Sequence, residues 1–209
     1  MNPDSERRGK RSPARVRALR AQVRETVQAA ILDAAEQQLA ERGMQGAALA
    51  QIAKRAGVAV GTLYNYFADR EALIAALFES RRAQIRPALQ AAAARSVDLA
   101  FEPRLLAFVH DVLAVFETHR KFIKLMIETE HLKVTPSNPG QDLRKGVEQV
   151  AAAGVAEGVI GADGAELFAL VAMAALKGLA IRRISDGQPL LEDAEPLVTL
   201  LLDGARARR

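Results

Sequence analysis

The sequence predicts an all-α protein, and three observations support that fold class. Apolar residues recur at helical spacing over most of the 209-residue chain, as in Ile31, Ala35 and Leu39. No stretch shows the alternating apolar pattern that is typical of a half-buried strand. Helix starts and ends are also frequent: Asp69 is suited to cap a helix at its amino end, and Gly43 to end one.

Composition excludes several classes of protein. The chain contains no cysteine, which excludes a disulfide framework and thiolate metal sites and fits a reducing cytosol. His110, His119 and His131 lack the spacing of a helical metal-binding pair, so we expect neither a metal nor a cofactor. No secretory signal is visible, and the longest uncharged apolar run, Leu167 to Leu176, is about half a membrane span. A soluble, cytoplasmic protein is predicted.

Three segments are predicted along the chain. Residues 1–24 form a basic amino-terminal arm, residues 25–72 a three-helix domain, and residues 73–209 a larger helical domain. Within the three-helix domain, Gly43 to Leu73 contains two short helices joined by a tight turn and followed by a third. That order is the layout of a helix-turn-helix, whose second helix enters the major groove of DNA.

The second helix of this motif carries an unusual outer face. It is expected to begin near Val60, and Leu63 and Phe67, four residues apart, share its inward face. The side chains left outside are those of Thr62, Tyr64, Asn65 and Tyr66. They combine aromatic rings with hydrogen-bonding groups that suit phosphates and base edges.

The segment from Ile31 to Leu77 resembles the DNA-binding domain of the TetR family of transcriptional regulators. The resemblance lies in Gly43, Ile52-Ala53, Ala56-Gly57-Val58, Gly61-Thr62-Leu63-Tyr64-Asn65-Tyr66-Phe67, Arg70 and Leu73. It implies a ligand-responsive, sequence-specific homodimeric repressor that a small apolar or amphipathic molecule releases from a palindromic operator. The DNA-binding candidates are Gln51, Val60, Gly61, Thr62, Tyr64, Asn65, Tyr66 and Arg70, with Arg15, Arg17, Arg20 and Arg24 of the arm.

Some positions depart from the family pattern. Ala47 and Ala48 stand where relatives usually place a capping Thr or Ser, which removes about 1 kcal/mol of capping. Ala50 and Val60 replace polar contact residues, whereas Arg70 keeps the charge of a common lysine. These changes leave a second hypothesis open, a dimeric helical adaptor whose degenerate three-helix domain binds a protein. An enzyme is not predicted, because no cluster of catalytic groups is visible.

The basic arm allows two interpretations. Residues 1–24 carry eight basic side chains against two acidic ones, about +6, while the whole chain is +4. Such an arm could neutralise phosphates or enter a minor groove, or it could be a solvated tail. Because Ser12 and Pro13 form a credible helix start, its second half could also extend the first helix.

The larger domain is expected to hold the dimer interface. The run Leu167 to Leu176 is apolar around its whole circumference, which indicates burial on every side, either in an ordinary core or partly against a partner. The resemblance implies that helices at about 139–159 and 164–185 form a four-helix bundle with their copies in a twofold dimer. Candidate interface residues are Val155, Leu167, Leu170, Val171, Ala174 and Gly178.

The resemblance also implies a ligand pocket among the helices between residues 81 and 160. Phe108, Phe116, Phe122 and Met126 are candidates to line it, with His110 or Glu128 as a polar anchor. A plainer explanation is that these side chains belong to the core or to the surface.

Local signals give the remaining helix expectations. Pro87 should kink or break the fourth helix, and further helices are expected at about 102–118 and 120–131. Asp163 and Glu166 have the spacing of a capping box ahead of the helix that ends near Ser185. A last helix is expected at about 192–206.

Overall fold

A computed structural model describes residues 13–129 and 140–205, in which the chain forms helices and no strands, so the predicted all-α fold class is confirmed. The helices are α1 Pro13–Gly46, α2 Leu49–Arg55, α3 Val60–Tyr64, α4 Arg70–Arg95, α5 Phe101–Thr118, α6 Arg120–Thr129, α7 Gln141–Ala156, α8 Ala165–Ser185 and α9 Ala194–Ala205. Short 3-10 helices at Ala162–Gly164 and Leu191–Asp193 precede α8 and α9. The chain divides into an amino-terminal unit, Met1–Ile74, and a carboxy-terminal unit, Ala75–Arg209.

The amino-terminal unit is built around a small apolar core. Its fully buried members include Ile31 of α1, Ile52 of α2 and Leu63 of α3. The backbone of α1 leaves the helical conformation at Gly43, where φ is 71°. Side chains strongly disfavour that conformation, and glycine permits it, so the predicted end of the first helical run at Gly43 is confirmed.

Part of the predicted arm is helical. Because α1 begins at Pro13, residues 13–24 extend the first helix, which was one of the two conformations left open. Their four arginines therefore have fixed directions around a helix axis. The other basic residues of the arm, in residues 1–12, lie outside the described part of the chain.

The structure lacks a predicted helix break at Pro87 and a predicted capping box. Pro87 lies inside the uninterrupted helix α4, where a proline costs about 3 kcal/mol. The buried side chains of Ile85 and Leu89, on either side of it, offset that cost. The capping box of Asp163 and Glu166 does not form, because a 3-10 turn occupies Ala162–Gly164 and Gly164 becomes the uncapped start of α8.

The core of the carboxy-terminal unit depends on close helix approach. Helix α7 packs along α8, and α5 contacts α7, α8 and α9. The approach of α5 to α7 needs glycine, since a Cβ added to Gly154 would lie 2.8 Å from Cε2 of Phe101. Phe101 in turn makes an edge contact with Phe168 of α8, with ring centroids 5.9 Å apart. This packing fixes the positions of α5 and α8, the two helices that carry the surfaces described next.

Candidate nucleic-acid interface and ligand region

The turn between α2 and α3 fixes the direction of α3. Gly57 has a φ of 71°, and the Val58 N–H donates to the Ala53 carbonyl at 3.0 Å, which closes the end of α2. Leu63 and Phe67 are then buried beneath α3 and the turn after it. The outer side of α3 consequently faces away from the core, as the sequence predicted.

The predicted contact residues fall into two groups by exposure. Those exposed are Gln51, Val60, Gly61, Tyr64 and Asn65; those half-buried are Thr62, Tyr66 and Arg70. Tyr64 leaves 51% of its surface in solvent, far more than a tyrosine in a protein core. We call the exposed group the α3 surface; its polar and aromatic side chains are those of Gln51, Tyr64 and Asn65.

The amino ends of α2 and α3 lack side-chain caps. Ala48 and Ala59 occupy the two cap positions, and neither has a side chain that can bond to the first turn. For Ala48 this is the capping loss that the sequence predicted. Helix α2 is instead attached to α1 by an ion pair between Arg55 and Glu41, whose N–O distance is 2.8 Å.

Arg70 is engaged inside the unit. Its guanidinium donates to the backbone carbonyls of Met44 and Ala47, the segment that connects α1 to α2. The neighbouring Asp69 caps α4, as predicted, with its Oδ1 accepting from the Ala72 N–H at 2.7 Å. Arg70 therefore stabilises the helix-turn-helix itself. The sequence analysis, in which Arg70 keeps the charge of a lysine common in the family, did not indicate this role.

Three arginines of α1 form a row on one side of the helix. At about 100° per residue, Arg17, Arg20 and Arg24 fall within an arc of roughly 60°. Arg15 lies roughly 170° from the middle of that arc, so the structure does not bring it together with the other three. All four side chains are exposed. We call Arg17, Arg20 and Arg24 the basic row.

The basic row lies on the side of α1 that the rest of the unit packs against. Ile31 and Ala35, two fully buried residues of α1, have nearly the same angular position as the row. An independent contact agrees with this geometry, since the Arg24 guanidinium carbon lies 5.4 Å from the ring centroid of Tyr66. The sequence did not indicate this contact between residues 42 positions apart. It places Arg24 against the residue that follows the α3 surface.

The structure separates the predicted ligand residues. Phe108, Phe116 and Phe122 are buried core residues, and Phe122 packs edge-on against Phe78 with ring centroids 5.2 Å apart. Met126 is half-buried. By contrast, His110 lies at the surface with 58% of its side chain exposed, so it does not join the phenylalanines in a pocket.

His110 instead lines a groove between α5 and the start of α9. This α5–α9 groove has a volume of about 540 Å³ and is lined by Pro103, Leu106, Ala107, His110, Asp111, Leu191, Glu192, Ala194 and Glu195. Sequence reasoning missed it, because its two sides are some 80 residues apart in the chain and neither carries a recognisable motif.

An ion pair and a hydrogen bond fasten the α9 side of the groove. Arg183 binds both carboxylate oxygens of Asp193 at 2.5 Å. Glu117 accepts a hydrogen bond from the Leu190 N–H at 3.0 Å, just before the 3-10 turn. Hydrogen bonding to Arg120, and then to Leu190, lowers the pKa of the Glu117 carboxyl, so this anchor stays ionised at neutral pH.

The outer face of α8 is apolar and exposed. Leu167, Leu170 and Val171 expose 63%, 66% and 47% of their surface, and Ala174 and Gly178 continue the same face. We call these five residues the α8 stripe. The opposite face, with Phe168, Ala172 and Leu176, is buried. The sequence predicted burial on every side of this helix, and the structure shows burial on this one face. Val155 of α7 is half-buried.

Residues 162–185 are long and apolar enough to cross a membrane by length and composition alone. Several of them pack in the core of the carboxy-terminal unit, however, and the segment also carries Lys177, Arg182 and Arg183. A helix with one buried apolar face fits a soluble helical domain at least as well.

Residues 31–77 match the family model described as bacterial regulatory proteins, tetR family. This segment is therefore similar to the DNA-binding domain of the tetR family. The match covers the helix-turn-helix and the first turns of α4, including the whole α3 surface.

Two regulators are similar to this chain over part of its length. The HTH-type transcriptional regulator BetI of Cronobacter sakazakii is 31% identical over 98 residues, 47% of this chain and 48% of that protein. The fatty acid metabolism regulator protein of Bacillus subtilis is 43% identical over 54 residues, 26% of this chain and 28% of that protein. The aligned segments thus span half or less of each relative.

A solved structure shares the fold over most of the chain. The transcriptional regulator FadR from Bacillus subtilis, in complex with stearoyl-CoA, superposes with a TM-score of 0.66. The alignment covers 84% of this chain and 97% of that one at 20% sequence identity. It shows that the helical carboxy-terminal unit, outside the family model, shares the fold of that regulator.

Replacing Arg70 with Met should lower the free energy of unfolding by about 1–3 kcal/mol, because two carbonyls lose a charged hydrogen-bond donor. The measurement is urea unfolding of the DNA-free protein, followed by circular dichroism. Arg20→Met is the control, since an exposed arginine without such bonds should change stability by less than about 0.5 kcal/mol. Equal stability of Arg70→Met and the natural protein would assign Arg70 to a role outside the fold.

Proposed function

We propose that this protein is a ligand-responsive, sequence-specific transcriptional regulator that binds operator DNA as a homodimer. The observation that carries the proposal is the arrangement of the amino-terminal unit. An exposed surface of Tyr64, Asn65 and Gln51 lies beside a basic row on the packed side of α1. Base-edge contacts from the first and phosphate contacts from the second are the two components of specific DNA binding.

The α8 stripe supports the homodimer. Leu167, Leu170 and Val171 are large apolar side chains on one helix face, and leaving them in water is unfavourable. Ala174 and Gly178 on the same face permit close approach of a second helix. A twofold dimer would bury the same stripe from both copies and present two α3 surfaces to the halves of a palindrome.

Ligand response would act through the dimer. In one state of the dimer, the spacing of the two α3 surfaces does not match the halves of the operator. A small apolar or amphipathic effector that binds this state more tightly shifts the population toward it and releases DNA. The Bacillus subtilis FadR structure holds stearoyl-CoA, which supports an effector of this general kind. Bound to an operator that overlaps a promoter, such a protein would repress transcription. Its location would be the cytoplasm.

Two specific observations favour the adaptor hypothesis. Ala48 gives α2 no side-chain cap, and Val60, exposed at the start of α3, offers no polar group to a phosphate or base. A head with these substitutions could bind a protein in place of DNA. Sequence-selective DNA binding separates the two functions.

Selection from a random DNA library by the purified protein at near-physiological salt should recover a palindromic motif. Tyr64→Ala should weaken binding to that motif by roughly 10- to 100-fold, the usual effect of losing a base-edge contact. Dimer mass and circular dichroism of the variant should stay unchanged. Recovery of no motif would favour the adaptor, whereas unaltered binding by Tyr64→Ala would remove Tyr64 from the interface.

The basic row predicts a change in salt dependence. Each phosphate contact contributes roughly 0.9 to the slope of log K against log salt, so Arg17→Gln with Arg20→Gln should reduce the slope by roughly 2 per protomer. Arg15→Gln, on the other side of α1, is the matched control and should leave the slope nearly unchanged. Fluorescence anisotropy at several salt concentrations measures both slopes. Equal slopes for the two variants would show that the row makes no phosphate contact.

Leu170→Glu should convert the dimer to a monomer, because it places a charge from each copy inside an apolar interface. Leu200→Glu is the control: Leu200 is 70% exposed, similar to Leu170 at 66%, but lies on α9. Analytical ultracentrifugation at micromolar concentration should show a monomer for the first variant and a dimer for the second. A dimeric Leu170→Glu protein would place the interface elsewhere.

A further inference from the structure

We infer that the α5–α9 groove is a binding site for a small amphipathic organic cation, such as an alkylammonium compound. The binding site itself is independent of the proposed DNA binding. The groove is also distinct from the buried phenylalanines that the sequence suggested as a pocket. Its size, its lining and its charge each contribute to this assignment.

Size and apolar lining suit a small organic molecule. The volume of about 540 Å³ lies within the range of roughly 300–1,000 Å³ that is typical of ligand pockets. The apolar part of the lining comes from both sides, with Pro103, Leu106 and Ala107 on α5 and Leu191 and Ala194 opposite. A short alkyl chain placed between them would remove apolar surface from water on both sides.

The polar part of the lining is acidic apart from His110. Three carboxylates line the groove, those of Asp111, Glu192 and Glu195, and no lysine or arginine does among the described residues. The Arg95 guanidinium neutralises Asp111 from outside, with a Nη2–Oδ2 distance of 2.7 Å. Glu195 forms no ion pair with any described residue, and Glu192 lies near Arg183, which is already bound to Asp193.

This charge selects the sign of the ligand. The apolar lining lies beside carboxylates that lack a full counter-charge, so an anionic head group would be repelled and a cationic one attracted. An acyl chain with a carboxylate or phosphate head therefore fits poorly. A cation with a short apolar tail satisfies both parts of the lining.

The groove is held open before a ligand arrives. Its α9 side is fixed by the pair of Arg183 and Asp193 and by the bond from the Leu190 N–H to Glu117. Its α5 side is fixed by Arg95 and Asp111. Because these contacts already order the lining, little conformational entropy is lost on binding.

Occupation of the groove would reach the proposed dimer interface. Helices α5 and α9 both contact α8, which carries the α8 stripe. A cation bound between them could thus serve as the effector, and this regulatory role rests on the proposed function.

The test is titration of the full chain with pentyltrimethylammonium, followed by methyl NMR of Ala107 and Ala194. We expect saturable shifts of both methyl groups. Glu192→Gln with Glu195→Gln should weaken binding by roughly threefold or more, as expected for loss of two solvent-exposed charge interactions. The matched control is Asp98→Asn with Asp163→Asn, which removes the same charge at two exposed positions outside the groove.

Three results would overturn the binding site. They are the absence of saturable shifts, hexanoate binding as tightly as the cation, and equal weakening by the control variant. Equal weakening by the control variant would mean that the cation is attracted by the net charge of the protein and not by the carboxylates of the groove. Operator release by the cation, measured on a DNA fragment that the protein binds, tests the regulatory role separately. Saturable groove binding without release would refute that role and leave the site intact.

Discussion

Burial of Leu63 and Phe67 holds α3 in place, and the α3 surface depends on it. A helix of five residues has no stability of its own in water. Neither Ala48 nor Ala59 supplies a side-chain cap, so helix capping adds little. Burying each of the two apolar side chains contributes about 1.5–3 kcal/mol. The hydrophobic effect, with one glycine turn to set the direction, therefore positions the residues that would read DNA.

Charge is divided between the two units according to their surfaces. The basic row of α1 lies beside the α3 surface, whereas the groove of the other unit carries Glu192 and Glu195. A polyanion is attracted to the first surface and repelled by the second. The proposed nucleic-acid surface and the proposed small-molecule surface thus differ in charge as well as in fold.

Local patterns in the sequence were sufficient for the helices and for the helix-turn-helix. Apolar periodicity, Gly43, Gly57 and the Asp69 cap act over one or two turns, and the structure contains each of them. The failed prediction at Pro87 had a nonlocal cause. Burial on both sides of Pro87 kept α4 helical despite the proline.

Contacts between distant residues could not be predicted from the sequence. Arg70 reaches the carbonyl of Met44, and Arg24 reaches the ring of Tyr66, and neither pairing follows a periodic rule. The groove depends in the same way on two segments that the fold brings together.

The helical form of residues 13–24 also has a thermodynamic consequence. A disordered basic arm must lose conformational entropy when it settles on DNA, but an arm that is already helical has lost it on folding. Complex formation through such an arm should carry a smaller unfavourable entropy and a smaller heat-capacity change than coupled folding and binding.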